Sequence, residues 1–358
     1  MRNIRGSFFL YQERRVAIMK VNDKLESRKY MNRIHKKTVV LVAAAAVLLT
    51  GCRVSNPKEK DELAFRKSGI VFWEKGQYEK AAKTFQKALD CSNGRISDVE
   101  YDICYYKAYS LIQAGKKDEA IEVYDAILNY DKKQWQAWMQ KGNVYASMGK
   151  YQEACNCYNR ATDMTEGNFE ACISIYENLK AVKATEEMSE SYLRKALKYK
   201  NDDGESIRNK GRIYLLLKEY DNAKQTLSEA MNKGDEEAKL YMAQVLEATK
   251  DKDGAYAIYE SYANAHKEDG AAQFRLVKML MEEEEYEKAL KYVNEAKKNI
   301  NEDNEKELLT CEISAYEHLQ KFEEAKKLLE EFLKKYPMDD KAKKELQFVT
   351  SRITKTEE

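Results

Sequence analysis

Small and apolar residues recur along most of the chain at the spacing of an α-helix, three or four positions apart, with charged and polar residues between them. The pattern is most complete in residues 138–161, which divide into two helical stripes. Gly142 lies among aromatic residues on the first stripe, and Ala154 and Tyr158 lie on the second. Gly149 falls between the stripes, and helices often end at a glycine. The pattern predicts two helices that pack through small residues and are joined by a tight turn.

The same two-helix unit recurs at intervals of about 34 residues. An alanine of the second helix marks seven of the units: Ala81, Ala120, Ala154, Ala223, Ala255, Ala289 and Ala325. The fourth unit is degenerate, with Met188 or Ser189 at this position and Tyr176 where a small residue is usual. We predict eight units, near residues 62–95, 101–134, 135–168, 169–203, 204–237, 236–269, 270–303 and 306–339.

The composition favours long helices over strands. The chain has only two prolines in 358 residues, and 34% of its residues are charged. Together with the repeats, this composition is typical of an all-α protein. The glycine, alanine and aromatic positions of the unit resemble the tetratricopeptide repeat. The resemblance implies a right-handed α-solenoid over residues 62–339, with a capping helix in residues 340–358 that covers the last apolar face.

The amino terminus carries a second pattern. Residues 39–49 form an apolar run of 11 residues, which is too short to span a membrane comfortably as a helix. Basic residues precede this run, and its last residue begins the sequence Leu-Thr-Gly-Cys, so residues 31–51 resemble a bacterial lipoprotein signal peptide. The resemblance implies cleavage before Cys52 and lipid modification of that cysteine. An ordinary secretory signal is the alternative.

Two other segments flank this signal. Residues 1–30 are charged and do not fit the signal design, so we interpret them as an upstream extension or a misassigned start. Met31 is then the better initiation site, with Met19 as the second choice. If translation starts at Met1, the leader instead has an unusually long basic region. Residues 52–61 are predicted to form a polar tether. A lipid anchor at Cys52 would hold the protein on a bacterial cell membrane surface, outside the cytoplasm.

The net charge of +1 hides an uneven distribution. The first 51 residues contain 11 Lys and Arg against 3 Asp and Glu, so the remainder of the chain carries a net charge of −7. An acidic body argues against nucleic acid as a partner, because phosphate binding needs a concentrated basic surface.

The sequence contains no pattern for catalysis, metal binding or cofactor binding. His266 and His318 stand alone, the third histidine lies in the signal, and Cys155 and Cys157 lack the spacing of a redox or zinc motif. We expect the six cysteines after Cys52 to be buried or inert thiols, with disulfides as the alternative in an exported protein. We therefore expect no enzyme activity, no metal site and no small-molecule cofactor.

The resemblance to tetratricopeptide repeats also implies where a partner would bind. In this family the first helices of successive units line a concave groove that binds proteins and peptides. The register of the units gives groove positions that include Arg66, Trp73, Tyr105, Tyr109, Met139, Asn143, Arg208, Arg212, Phe274 and Lys278, together with Gln140 between Met139 and Asn143. The early positions are aromatic or apolar and the later ones mostly basic, which suits a peptide with an acidic portion. Some of the tyrosines could instead pack between neighbouring first helices.

Two functions agree with these expectations. The first is a membrane-anchored, extracytoplasmic lipoprotein that acts as a scaffold for protein–protein interaction. The second is an envelope-assembly factor or a cell-wall factor that associates with glycan.

Overall fold

The computed structural model describes residues 57–300 and 302–356, and it contains helices and turns but no strand in this part of the chain. Its helices are α1 Pro57–Glu74, α2 Tyr78–Cys91, α3 Asp98–Gln113, α4 Lys117–Tyr130, α5 Trp135–Ser147, α6 Tyr151–Met164, α7 Phe169–Ala181, α8 Glu186–Ala196, α9 Gly204–Leu216, α10 Tyr220–Asn232, α11 Ala238–Ala248, α12 Lys252–Ala265, α13 Gly270–Glu282, α14 Tyr286–Asn299, α15 Glu302–His318, α16 Phe322–Lys335 and α17 Asp340–Thr356. The predicted signal peptide and Cys52 lie outside the described residues.

Consecutive helices pack as eight pairs, one for each predicted unit, from α1 with α2 to α15 with α16. The final helix, α17, packs against α16. The all-α repeat solenoid predicted from the sequence is confirmed. The helices divide into two compact units between Tyr199 and Lys200, so that the first unit contains α1–α8 and the second contains α9–α17. Within the described residues, none of the helices has the length and apolar character needed to cross a membrane.

The first helix begins earlier than predicted. It starts at Pro57, so residues 57–61 form its first turn and not part of a polar tether. Proline is favoured at the first helical position because its fixed backbone angle suits the helix and its missing N–H would have no helical partner there. Glu59 in the same turn adds a negative charge near the positive end of the helix dipole.

Close packing within three pairs depends on a missing side chain. A Cβ added to the first-helix glycine would lie 2.5 or 2.6 Å from a buried second-helix side chain, as the pairs Gly69 and Phe85, Gly142 and Tyr158, and Gly211 and Leu227 show. No real Cβ tolerates such a distance, so the glycine allows the two helices to approach. This confirms the role of small residues that the sequence pattern predicts.

The turn inside each pair contains one residue in the left-handed backbone region. Three pairs use glycine there, namely Gly76, Gly115 and Gly149. The other five use Lys183, Lys218, Lys250, Glu284 and Gln320, with φ between 57° and 65°. This conformation lets the following N–H reach back to a carbonyl of the preceding helix, as Lys150 N does to Tyr145 O at 3.0 Å.

The degenerate fourth pair, α7 and α8, keeps the repeat geometry through Ser189. This residue is fully buried and takes the place of the marking alanine. Its hydroxyl donates to the carbonyl of Thr185 at 3.1 Å and to that of Glu186 at 2.9 Å, so the buried polar group is satisfied. A small hydroxyl side chain therefore replaces alanine without an unpaired polar atom.

Candidate functional site

A cavity of about 150 Å³ lies in the first compact unit, among α3, α5 and α7. These are the first helices of three successive pairs, which is where the repeat resemblance places a groove. Ten residues line the cavity: Tyr105, Trp135, Gln136, Met139, Gln140, Asn143, Asn168, Glu170, Ala171 and Ser174.

The apolar part of the lining comes from Tyr105, Trp135, Met139 and Ala171. Tyr105 and Met139 are only 5% and 7% exposed, so each presents a small, well-supported surface to the cavity. Met139 is an adaptable side chain that can accommodate different apolar groups. These residues form an apolar surface in which a partner's side chain could be buried.

The polar part of the lining consists mainly of carboxamides. Asn143 Nδ2 donates to Gln140 Oε1 at 3.3 Å, and the hydroxyl of Tyr158 donates to Asn143 Oδ1 at 2.9 Å. Asn168 Oδ1 accepts the backbone N–H of Ala171 at 3.0 Å and so caps α7. The amides of Gln140 and Asn143 are therefore held in a hydrogen-bonded chain, while Asn168 supports the helix behind the cavity.

The electrostatic character of the cavity is close to neutral. Glu170 is the one carboxylate among the ten lining residues, and these residues include no lysine or arginine. Carboxamides both donate and accept hydrogen bonds, so they suit uncharged polar groups such as the peptide backbone. The lining chemistry does not favour a strongly acidic ligand.

The structure brings four of the predicted groove residues together at this cavity, namely Tyr105, Met139, Gln140 and Asn143. The sequence-based site missed six lining residues: Trp135, Gln136, Asn168, Glu170, Ala171 and Ser174. Of these, Gln136, Glu170 and Ser174 occupy groove positions of the third and fourth units. The same register would have identified Glu170 and Ser174 had it been applied to the degenerate fourth unit.

Three other predicted residues lie elsewhere in the first compact unit. Arg66 donates two hydrogen bonds to Asp102 Oδ2, at 2.6 and 2.8 Å. The ring of Trp73 lies 5.8 Å from that of Tyr109 and 5.9 Å from that of Tyr106. Because Tyr109 is only 5% exposed, this aromatic cluster packs α1 against α3. Tyr109 thus follows the alternative in which tyrosines pack between neighbouring first helices.

The predicted residues Arg208 and Arg212 belong to the second compact unit, on α9. Arg208 is held by Asp235 at 2.7 Å and by Glu237 at 3.1 Å, and its side chain is 14% exposed. Arg212 lies over the ring of Tyr241, with 5.8 Å between the guanidinium carbon and the ring centroid. Both side chains therefore make contacts within the protein.

The last two predicted residues, Phe274 and Lys278, lie on α13. Phe274 is 4% exposed and belongs to the core of the second unit. Lys278 pairs with Glu307 at 2.8 Å and lies over the Phe274 ring. Together with Arg66 and Arg208, it is a basic residue neutralised by the protein's own carboxylates. This corrects the expectation that the later groove positions form a basic surface for an acidic peptide.

A buried cluster of charged residues joins α1 to the start of α3. Arg95 donates to Glu100 at 2.8 Å and also pairs with Glu62, which is fully buried and has one carboxylate oxygen without a hydrogen-bond partner. Burial and the neighbouring Glu100 raise the pKa of Glu62 to about 7. Although burial opposes it, hydrogen bonds from Ser97 and Arg95 lower the pKa of Glu100 to about 2. None of these residues lines the cavity, so the cluster holds helices together and is not part of the candidate site.

The cysteines of the described residues are all unpaired thiols. Burial raises the pKa of Cys104 and of Cys157 to about 11, which keeps both protonated and unreactive near neutral pH. Cys172 Sγ lies 3.4 Å from the hydroxyl of Tyr199 in the core. In the part of the chain that the structure describes, no group of three or more His, Cys, Asp or Glu residues could hold a metal ion.

The chain is similar to a curated protein, anaphase-promoting complex subunit 3 of Schizosaccharomyces pombe, with 23% identity over 243 residues. This match covers 67% of the chain but only 36% of the length of that relative.

Two solved structures are also similar to the chain. A tetratricopeptide repeat protein from Parabacteroides merdae shares 14% identity and a TM-score of 0.43, with 81% of this chain and 99% of that one covered. PilF of Pseudomonas aeruginosa shares 18% identity and a TM-score of 0.41, with 61% of this chain and 97% of that one covered.

Sequence models of the tetratricopeptide repeat match five segments of the chain: residues 67–92, 105–133, 135–168, 207–232 and 313–337. These segments fall within five of the eight helix pairs, and two of them include the residues of α3 and α5 that line the cavity. The chain therefore contains tetratricopeptide repeats.

Proposed function

We propose that this protein is an interaction scaffold that binds an extended segment of a partner protein in the cavity among α3, α5 and α7. Tetratricopeptide repeats are typical of scaffolds and not of catalysts. The observation that carries the proposal is the lining of the cavity, where apolar side chains and carboxamides occur together on three successive first helices.

The size and chemistry of the cavity suit one residue of a peptide with its flanking backbone. A protein cavity of about 150 Å³ is large enough to hold benzene, so an aliphatic or aromatic side chain would fit against Tyr105, Trp135 and Met139. The carboxamides around it can bond to backbone N–H and C=O groups, which an extended segment leaves available. The near-neutral lining favours an apolar or uncharged segment over an acidic one.

The proposal also includes a membrane anchor at Cys52, outside the cytoplasm of a bacterium. Its support is the resemblance of residues 31–52 to a lipoprotein signal peptide. Because α1 begins at Pro57, only residues 52–56 would separate the lipid from the first helix. Five residues reach less than about 20 Å even when extended, so the scaffold would be held close to the bilayer.

The binding proposal can be tested with a photo-crosslinking amino acid. It would replace Gln136, a half-buried residue at the cavity, and in a control protein Gln152, an exposed residue of α6. We expect discrete partners to crosslink through position 136 and not through position 152, and to be lost when Gln140→Ala is added. Equal capture at both positions, or capture that Gln140→Ala leaves unchanged, would show that the cavity is not the binding site.

The anchor is tested separately by metabolic labelling with an alkyne fatty acid. The full chain should incorporate the label and fractionate with membranes, whereas Cys52→Ala should do neither. Equal labelling of both proteins, or a cytosolic full chain, would contradict the anchor.

The aromatic residues of the cavity also favour a second candidate function, a cell-wall factor that binds glycan. Trp135 and Tyr105 could pack against a sugar ring, and Glu170 with the carboxamides could bond to its hydroxyl groups. Binding assays with purified cell wall and with extracted membrane proteins separate the two functions. Retention on cell wall that depends on Trp135 would favour the glycan function, and retention of membrane proteins that depends on Gln140 would favour the scaffold.

A further inference from the structure

We infer that Tyr158 is a positioning residue that fixes the direction of the carboxamides in the cavity, so that they present N–H donors and select a ligand group that accepts hydrogen bonds. In a peptide, that group is a backbone carbonyl. The inference rests on the proposed function, because it specifies how the same cavity would recognise its ligand.

The ring of Tyr158 is held rigidly behind the cavity. It is fully buried on α6, where it fills the space left by the missing side chain of Gly142. The ring of Tyr192 packs edge-on against it, with 5.7 Å between centroids and an angle of 81° between planes. Because the ring cannot turn, its hydroxyl has a fixed position next to α5 and α7.

The hydroxyl determines the orientation of Asn143. The hydroxyl has one proton to donate, and two amide oxygens lie within reach of it: Asn143 Oδ1 at 2.9 Å and Asn178 Oδ1 at 3.1 Å. We assign the proton to the shorter contact, which is to the cavity residue Asn143. Since Oδ1 of Asn143 accepts from Tyr158, the NH₂ group points the other way, toward Gln140 Oε1 at 3.3 Å. A reversed Asn143 would bring its own oxygen against that of Gln140, so both contacts favour the same orientation.

The polarity then passes along the chain of hydrogen bonds. Tyr158 donates to Asn143, and Asn143 donates to Gln140, so the carbonyl oxygen of each carboxamide already accepts one hydrogen bond. Each carboxamide has two N–H groups, and Asn143 uses one of them for Gln140. Both residues line the cavity, so a carbonyl oxygen of a ligand bound there would accept from their remaining N–H groups.

A tyrosine and an asparagine occupy these two positions together only in the third of the eight units. In the preceding unit, Tyr124 occupies the position of Tyr158, but Tyr109 occupies that of Asn143. In the fifth unit the same two positions hold Leu227 and Arg212. In the third unit the pair lies at the cavity, where Asn143 can also bond to a ligand.

The experiment uses linear peptides selected for binding to the full chain from a random library, with affinities measured by calorimetry. We expect Tyr158→Phe to weaken a peptide that depends on Gln140 by about three- to tenfold, the typical effect of one hydrogen bond. The matched control, Tyr259→Phe, removes a buried hydroxyl at the same position of the sixth unit, in the second compact unit, and should leave the affinity unchanged.

A double-mutant cycle separates positioning from general stability. If Tyr158 acts through Asn143, Tyr158→Phe should have no further effect on affinity in an Asn143→Ala protein. Asn143→Asp keeps the acceptor for Tyr158 but replaces the donor with an oxygen, so it should weaken the peptide at least as much as Asn143→Ala. Full additivity in the cycle, or undiminished binding by Asn143→Asp, would overturn the inference.

The failure of the proposed function would look different. If no selected peptide depends on Gln140, the cavity does not bind peptides and both proposals fail. If selected peptides depend on Gln140 but bind equally well to Tyr158→Phe, the scaffold proposal stands and the positioning role of Tyr158 is wrong.

Discussion

The glycine of the third repeat offers a direct test of how the helix pairs are held together. In Gly142→Ala, the new Cβ would lie 2.6 Å from Cε1 and 2.7 Å from Cδ1 of Tyr158. Tyr158 is fully buried and its hydroxyl is hydrogen-bonded, so the ring cannot move aside without losing contacts. The two helices would have to separate slightly.

The expected magnitude follows from two opposing effects. Overpacking a well-packed core costs about 1–3 kcal/mol, whereas alanine favours a helix over glycine by about 1 kcal/mol. We expect Gly142→Ala to lose about 1 kcal/mol of stability, despite the higher helix propensity of alanine. The measurement is the midpoint of urea unfolding.

Asn159→Ala provides the matched control, because it adds alanine at an exposed position of α6 where no side chain blocks it. It should be neutral or more stable by a few tenths of a kcal/mol. If Gly142→Ala is as stable as this control, the close approach of α5 and α6 does not depend on the glycine and the packing argument is wrong.

Two further predictions concern single sites. Lys250→Gly should stabilise the protein by about 0.5–1 kcal/mol in urea unfolding. At a φ of 65°, a residue with a side chain is strained, and relieving this strain gains more free energy than the extra unfolded-chain entropy of glycine costs. A loss of stability would contradict this. The pKa of Glu62 is raised by burial to about 7, so the folded state binds a proton more tightly than the unfolded state and stability should fall as pH rises from about 4.5 to 7. Compared with wild type over that range, Glu62→Gln should show a smaller fall, and parallel pH profiles would refute the assignment.

The sequence predicted the repeat architecture well, because the packing of each helix pair depends on local positions. Gly142 and Ala154 are small where two helices meet, and this requirement can be identified from spacing alone. The start of α1 was missed because residues 57–61 contain no apolar residue, and the prediction relied on apolar spacing. A first helical turn that begins with proline can form without apolar residues. Ser189 was one of two alternatives, which only its burial could resolve.

The candidate site was predictable in part. The register of the third unit indicated Met139 and Asn143 because groove positions repeat with the unit. It could not indicate that Phe274 and Tyr109 are buried, since burial depends on how closely the next first helix approaches. Nor could it show that Lys278 is neutralised, because its partner lies in the following repeat. Contacts between repeats, and not positions within a repeat, determine which groove residues remain available to bind a partner.

The central claim, that the cavity among α3, α5 and α7 binds a peptide, is tested most directly by methionine-methyl NMR of the full chain. Met139 lines the cavity, whereas Met338 is 86% exposed in the second compact unit and serves as the reference. On titration with a selected peptide, we predict that the Met139 methyl resonance shifts in a saturable way while that of Met338 does not move. A peptide that binds with saturation but leaves Met139 unchanged would contradict the proposed site.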